Sequence, residues 1–422
     1  MNLTNILNDI KIYIEEHNGN TWTPGKDWIQ YAGPYFTSDE YVRAVKTLLE
    51  GWLVLGKDAI EFERSFPKEL GKECGILVNS GSSANLIAVN TLKILAKTSK
   101  IITPVAGFPT TINPIIQCGF TPEFIDIELP SLNLNLKQLN NTEGEALIFA
   151  HALGNPVDMD KIDKKLFIIE DCCDALGSTY KNKLVGSWGD ISTCSFYPAH
   201  TVTGGEGGFV ATKTKELEDT ARSFREWVKS CNCIGKEIGL SKKGKCGNRF
   251  SNWLPAFPEE IFDHKYVYDT IGYNLKPIEL QASILIEQLK KLPEIIKLRK
   301  RNFNLLYEIF SKYEEFFYLP EATKNSDPCW FVFPLTIKEK APFNRAAFCS
   351  YLEEHKIQTR PYFAGNILLH PAYSHLMSSE DAKKRFPVAT YVTFNTFFLG
   401  VSPVITPEQI FYIDKVVERF FK

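Results

Sequence analysis

Ser195-Phe-Tyr-Pro-Ala-His200-Thr-Val-Thr-Gly-Gly-Glu-Gly-Gly208 joins two short apolar runs, 191–196 and 208–212. Runs of that length, rich in Val, Ile and Phe, predict buried strands, so the segment reads as a loop held between two strands of a sheet. His200 is the group in it that can move a proton near neutral pH, because an unperturbed imidazole titrates at about 6.5. The Ser195 hydroxyl can bind a phosphate. Glu206, in the glycine turn, either contacts the same site or stabilises the loop.

Working outward, further strands are expected at 75–79, 101–105, 123–127, 146–151 and 166–170, with an amphipathic helix over 84–96 capped by Ser82 or Ser83. This alternation predicts an open α/β sheet of mostly parallel strands. A helix should begin at Pro277, with Ile278, Ala282, Leu285, Leu289 and Leu292 on one stripe. Pro293 should kink or end it, with helical character resuming towards Tyr307. A smaller C-terminal α+β domain follows. We expect an N-terminal segment at 1–35, a large domain at 36–285 with an insertion at about 225–255, and the small domain at 286–422.

Composition excludes several classes. Forty-eight basic against fifty acidic side chains leave a net charge of −2, which suggests no nucleic-acid or membrane-surface partner. The N-terminus lacks the basic flank and apolar run of a signal peptide. Residues 386–406 carry no charge, but Pro387, Pro403 and Asn395 interrupt them, so a buried strand pair or strand–loop is expected rather than a membrane span. A soluble cytoplasmic protein is predicted.

Four pieces have the makings of one pocket. Asn79-Ser-Gly-Ser-Ser-Ala-Asn85 places a glycine turn at a helix N-terminus, which favours a phosphate. Read alone, it is equally an ordinary strand–helix turn. Phe108, in Gly107-Phe-Pro-Thr-Thr111, can stack on an aromatic ring or fill a core. Asp171, in Ile169-Glu-Asp-Cys-Cys-Asp174, ends a buried strand on the side where open α/β sheets bind ligands. A carboxylate there can hold a pyridinium nitrogen protonated, or cap a helix. The 195–208 loop is the fourth piece.

In order and spacing these motifs resemble the DegT/StrS group of sugar aminotransferases and dehydratases, over about residues 30–422. The resemblance implies the type I pyridoxal-phosphate fold, a large mostly parallel sheet domain with a smaller α+β domain. It also implies pyridoxal or pyridoxamine phosphate as coenzyme. On matching positions it puts Gly81, Ser82 and Ser195 on the phosphate, Phe108 on the ring and Asp171 at the pyridine nitrogen. Asp174 stands where aminotransferases commonly have Gln. Asn274, in Gly272-Tyr-Asn-Leu275, matches an asparagine that reaches the neighbouring subunit's coenzyme, which implies a homodimer. His200 occupies the place of the lysine that forms the Schiff base. An imidazole cannot form that bond, which turns the expectation from amino transfer to proton abstraction.

Ten cysteines in an intracellular chain of 422 residues are not a disulfide framework. Six bunch between 172 and 246, among them Cys173, Cys231, Cys233 and Cys246. Four thiolates suit a two-iron cluster or zinc, and spacing alone separates neither from unligated thiols. The set resembles the cluster site of one branch of the family, the 3-dehydrases of CDP-linked 4-keto-6-deoxyhexoses. Phe224-Arg-Glu-Trp227, Asp263-His-Lys-Tyr266 and Ser326-Asp-Pro-Cys-Trp330 add to the likeness. That branch implies a [2Fe-2S] cluster, a nucleotide-sugar substrate and a flavin/iron–sulfur NAD(P)H reductase as partner. The twelve residues 234–245 exceed the branch's spacing and read as a surface-loop insertion, which costs little in closure entropy. Cys172 and Cys194 are expected to be small core residues. Arg360 and Asn366 are candidates to face substrate phosphates.

Overall fold

The computed structural model describes residues 2–17, 19, 21–95, 98–229 and 249–422. Its centre is a seven-stranded sheet of β1 (Cys74–Val78), β2 (Lys100–Pro104), β3 (Thr121–Ile125), β4 (Ala146–Ala150), β5 (Phe167–Asp171), β6 (Ile191–Ser195) and β7 (Gly208–Thr212). The order is β1-β7-β6-β5-β4-β2-β3. The expected strands are all present, each shifted by two residues at most. One differs in sense: β7 runs antiparallel to both neighbours, β1 and β6, while the remaining pairs are parallel. The 195–208 loop is therefore a direct return between adjacent antiparallel strands.

Alternation along the strands feeds two cores. After the helices α1 (Leu3–His17), α2 (Ser38–Glu50) and α3 (Lys57–Ser65), Ile76, Val78 and Val210 face α4 (Gly81–Leu95), whereas Leu77, Phe209 and Ala211 face the other side with Phe62, Phe66 and Phe196. α4 starts three residues earlier than expected. Ser80 caps it, its Oγ accepting from the Ser83 N–H at 3.1 Å, so neither Ser82 nor Ser83 is the cap.

The helix α5 (Glu279–Ser311) passes through Pro293 without ending. Pro293 lies on the exposed face, where water can take the carbonyl that loses its helical donor. The N-terminal half of α5 buries Ala282, Leu285, Leu292 and Ile295 against the large sheet, and its C-terminal half buries Phe303, Leu306 and Phe310 in a second core. That core lies on an antiparallel sheet of β8 (Phe317–Tyr318), β9 (Val332–Ile337), β10 (Arg360–Pro361) and β11 (Thr396–Gly400), in the order β8-β9-β11-β10.

The uncharged stretch 386–406 divides into a helix, Pro387–Asn395, and the strand β11, which corrects the expected strand pair. The helix is capped from a distance, because the Asp126 carboxylate accepts from the Val388 and Ala389 N–H groups at 3.0 and 2.8 Å. No helix among the described residues is long and apolar enough to cross a membrane.

Candidate active site

The register of the sheet assembles the site. Gly208 is opposite both Val78 and Ser195, and Asp171 is opposite Thr193, so the ends of β1, β5 and β6 meet at one edge. The approach there is close: a Cβ on Gly81 would sit 2.5 Å from the Ser195 Cβ, and one on Gly208 would sit 2.2 Å from the Ser80 carbonyl oxygen. Glycine is required at both positions.

Above this edge lies a cavity of about 450 Å3. Gly81, Ser82 and Ser195 line one end, beside the N-terminus of α4. Phe108, half exposed, enters from the loop after β2 and meets Phe363 edge-to-face at 5.6 Å. Asp171, Cys173, Asp174, His200 and Glu206 line the same cavity. Segments distant in sequence complete it, notably Tyr31, Phe331 and Tyr362.

Asp171 is buried at the end of β5 and held on both oxygens. Its Oδ2 accepts from Asn85 Nδ2 and Thr111 Oγ1, each at 2.8 Å, and its Oδ1 accepts from the Cys173 N–H at 3.1 Å. Asn85 is itself fixed, because its Oδ1 accepts from the Thr193 hydroxyl at 2.6 Å. Asn85, Thr111 and Thr193 escaped the sequence reading. The available signal was a polar residue one helical turn past the glycine turn of α4.

Asp174 is buried, and burial together with the charge of Asp171 pushes its carboxyl well above the usual range. Its Oδ1 lies 3.5 Å from His200 Nδ1. Burial, then the Arg299 guanidinium, press the imidazole down to about 4. Both shifts favour the uncharged form of each partner. Among the described residues His200 Nδ1 has no hydrogen-bond partner, and the ring packs on Phe331 at 5.2 Å between centroids. Among the described residues, no lysine lines the cavity.

Other expected residues lie elsewhere. Asn274 is outside the cavity and pairs with Glu226 in an isolated bridge. Asn366 is wholly buried, bonded to the Thr390 and Thr393 hydroxyls, so it cannot face a substrate phosphate. Arg360 is exposed and lies over the Tyr31 ring at 5.0 Å. Cys172 and Cys194 are buried core residues, as expected. Cys231, Cys233 and Cys246 lie outside the described residues. A buried group of His151, Glu170 and Cys172 has metal-like proximity. However, Glu170 already accepts from the Gly186, Trp188 and Gly189 N–H groups and pairs with His151, which makes the group a hydrogen-bond hub.

The sheet order, the cavity at its strand ends and the neighbouring antiparallel domain define an aminotransferase fold of type I. The GDP-4-keto-6-deoxy-D-mannose-3-dehydratase of E. coli, solved with bound hydrated PLP, shares it at a TM-score of 0.78 and 26% identity, over 92% of this chain and 99% of that one. Residues 35–420 match the model of the DegT/DnrJ/EryC1/StrS aminotransferase family, and the chain belongs to that family. It is 36% identical to the lipopolysaccharide biosynthesis protein RfbH of Salmonella typhimurium, over 100% of this chain and 99% of that protein. It is 39% identical to the dTDP-4-dehydro-2,6-dideoxy-D-glucose 3-dehydratase of Saccharopolyspora spinosa, over 98% and 91%.

Proposed function

We propose that this protein is a pyridoxamine-phosphate-dependent enzyme that removes the C3 hydroxyl of a nucleotide-linked 4-keto-6-deoxyhexose. The observation that carries the reading is a cavity suited to the coenzyme in which a neutral imidazole stands where the family's amino transfer needs a lysine.

The residues fit the coenzyme on structural grounds. The cavity has the volume of a small-molecule site. The Gly81 turn is packed too closely for any side chain and opens onto a helix N-terminus, where backbone N–H groups favour a phosphate. Gly81, Ser82 and Ser195 would hold the phosphate, Phe108 would cover one ring face, and Asp171 would keep the proton on the pyridine nitrogen. Bound there, pyridoxamine phosphate supplies an amine for the C4 ketone and a ring that takes up an electron pair. His200 then removes the proton from the C4′ carbon of the coenzyme. An imidazole that is already neutral is ready to accept it. Asp174, beside Nδ1, steadies the imidazole as it gains charge. Tyr362 and Phe331 keep water from the reacting atoms.

Replacing the C3 hydroxyl by hydrogen consumes two electrons and two protons and releases water. The finer reading is that Cys173, Cys231, Cys233 and Cys246 hold a [2Fe-2S] cluster that serves a flavin/iron–sulfur NAD(P)H reductase. CDP is the nucleotide this reading favours, through the likeness of the cysteine pattern to CDP-sugar 3-dehydrases. A homodimer, with Asn274 directed to the neighbour's phosphate, completes it.

Anaerobic incubation with CDP-4-keto-6-deoxyglucose, pyridoxamine phosphate and a reducing system should yield the 3,6-dideoxy sugar, and the protein should contain iron and sulfide. Product without iron or sulfide would replace the reductive reading with a dehydration finished by hydrolysis. Transfer of an amino group to C4 would overturn the proposal.

A further inference from the structure

We infer that Arg299 is a positioning residue for His200, its guanidinium clamping the backbone that carries the imidazole to the backbone of the ring packed against it. The inference rests on His200 acting as proposed above.

Arg299 stands where an apolar residue belongs. Leu292, Ile295, Asn302, Phe303 and Leu306 share its buried stripe of α5, and Arg299 is itself 1% exposed. A guanidinium so deeply buried is costly unless its donors are met. Nη1 and Nη2 are met by three main-chain carbonyls rather than by a carboxylate, while Nε has no hydrogen-bond partner among the described residues. Nη1 donates to the Phe331 carbonyl at 2.9 Å, and Nη2 donates to those of Ala199 and His200 at 3.0 and 2.8 Å.

Those acceptors belong to the two walls that hold the imidazole. One wall is the loop after β6, where the His200 N–H also donates to the Tyr197 carbonyl at 2.9 Å. The other is Phe331, just before β9, whose ring lies 5.2 Å from the imidazole and whose N–H donates to the Leu153 carbonyl at 2.8 Å. The two walls are 131 residues apart in sequence, and one planar fork joins them. Among the described residues His200 Nδ1 has no hydrogen-bond partner, so the position of the ring depends strongly on the mount beneath it. Arginine suits this task because its donors diverge at fixed angles; a lysine ammonium is a single point that cannot reproduce the fork.

Arg299→Ala and Arg299→Lys in the full protein, with coenzyme and substrate, test the inference. For Arg299→Ala, kcat should fall by about 100-fold, the size of effect expected from displacing a reacting group by about 1 Å. KM should hardly change, because the guanidinium does not line the cavity. Added guanidinium should restore part of the rate to Arg299→Ala and none to Arg299→Lys. A crystal structure of either variant should show the 197–201 backbone displaced from Phe331. If Arg299→Ala fails to fold, Arg299→Lys carries the same readings of kcat, KM and structure. Unchanged kcat would overturn the inference, as would a loss shared by kcat and KM without guanidinium rescue. If the wild-type protein performs no deoxygenation, the functional reading fails. The clamp is then judged by the variant structure alone, and an unmoved loop rejects it.

Discussion

Two histidine–carboxylate pairs flank the end of β5, and they differ in what they leave unsatisfied. His151 and Glu170 are both fully buried and meet at 3.0 Å. His151 Nδ1 accepts from the Val157 N–H, so Nε2 carries the proton and donates to Glu170. Every polar atom of that pair is engaged, and the pair fastens the 186–189 loop to the sheet. His200 and Asp174 meet at 3.5 Å, both line a cavity, and His200 Nδ1 is left without a partner. Glu170 and Asp171 are adjacent on one strand, so their side chains leave on opposite faces. One face builds structure and the other presents chemistry. Saturated hydrogen bonding marks the first; an orphaned ring nitrogen in a cavity marks the second.

Variants should separate the two pairs. His200→Asn should show the largest effect, a loss of about 100- to 10,000-fold in kcat, the usual worth of a general base. Its melting temperature should stay close to that of the wild type, because Nδ1 makes no hydrogen bond to lose.

His151→Ala should do the reverse. It leaves the Val157 N–H unpaired, at about 1–3 kcal/mol for a buried group, and takes one of two hydrogen bonds from Glu170 Oε2, which keeps the Gly186 N–H. Calorimetry should record that loss while kcat per folded molecule stays near the wild-type value. Comparable losses of activity in both variants would erase the contrast.

Glu170→Gln sharpens the structural side through pH. Burial alone would raise the Glu170 carboxyl, but the His151 hydrogen bond, the Gly189 N–H and Lys72 together hold it below its ordinary value. The ionised carboxylate therefore stabilises the fold fully above the unfolded carboxyl's value of about 4.3. That stabilisation is lost as pH falls through the lower folded value. The gap in melting temperature between wild type and Glu170→Gln should be wide at neutral pH and should close in acid. A gap independent of pH would contradict the assignment.

The smallest change is expected from Asp174→Asn. Burial and the charge of Asp171 already favour the uncharged carboxyl, which the amide resembles. We expect kcat to fall by roughly tenfold or less, the worth of one modest hydrogen bond, with stability unaltered in thermal melts.

Much of this was legible in the sequence, for reasons of range. Strand positions follow from local apolar runs, and the cavity residues at 81, 82, 108, 171, 174, 195 and 200 fall in motifs a few residues long. What stayed hidden depends on distant partners. The Asp126 cap on the Pro387–Asn395 helix is more than 250 residues away, so that stretch looked like strand. Asn366 looked like a surface ligand because Thr390 and Thr393, which bury it, lie on another element. The antiparallel sense of β7 depends on its pairing with β1, across more than a hundred residues. Arg299 was invisible for the same reason: its acceptors are backbone carbonyls at 199, 200 and 331.

In the proposed reaction His200 takes a proton from the coenzyme without any covalent tether. The most direct test follows isotope release from pyridoxamine phosphate labelled with tritium at C4′, in one anaerobic turnover with the nucleotide sugar. The wild type should release label to water, and His200→Asn should bind the coenzyme yet release almost none. Release from His200→Asn at the wild-type rate would contradict the account.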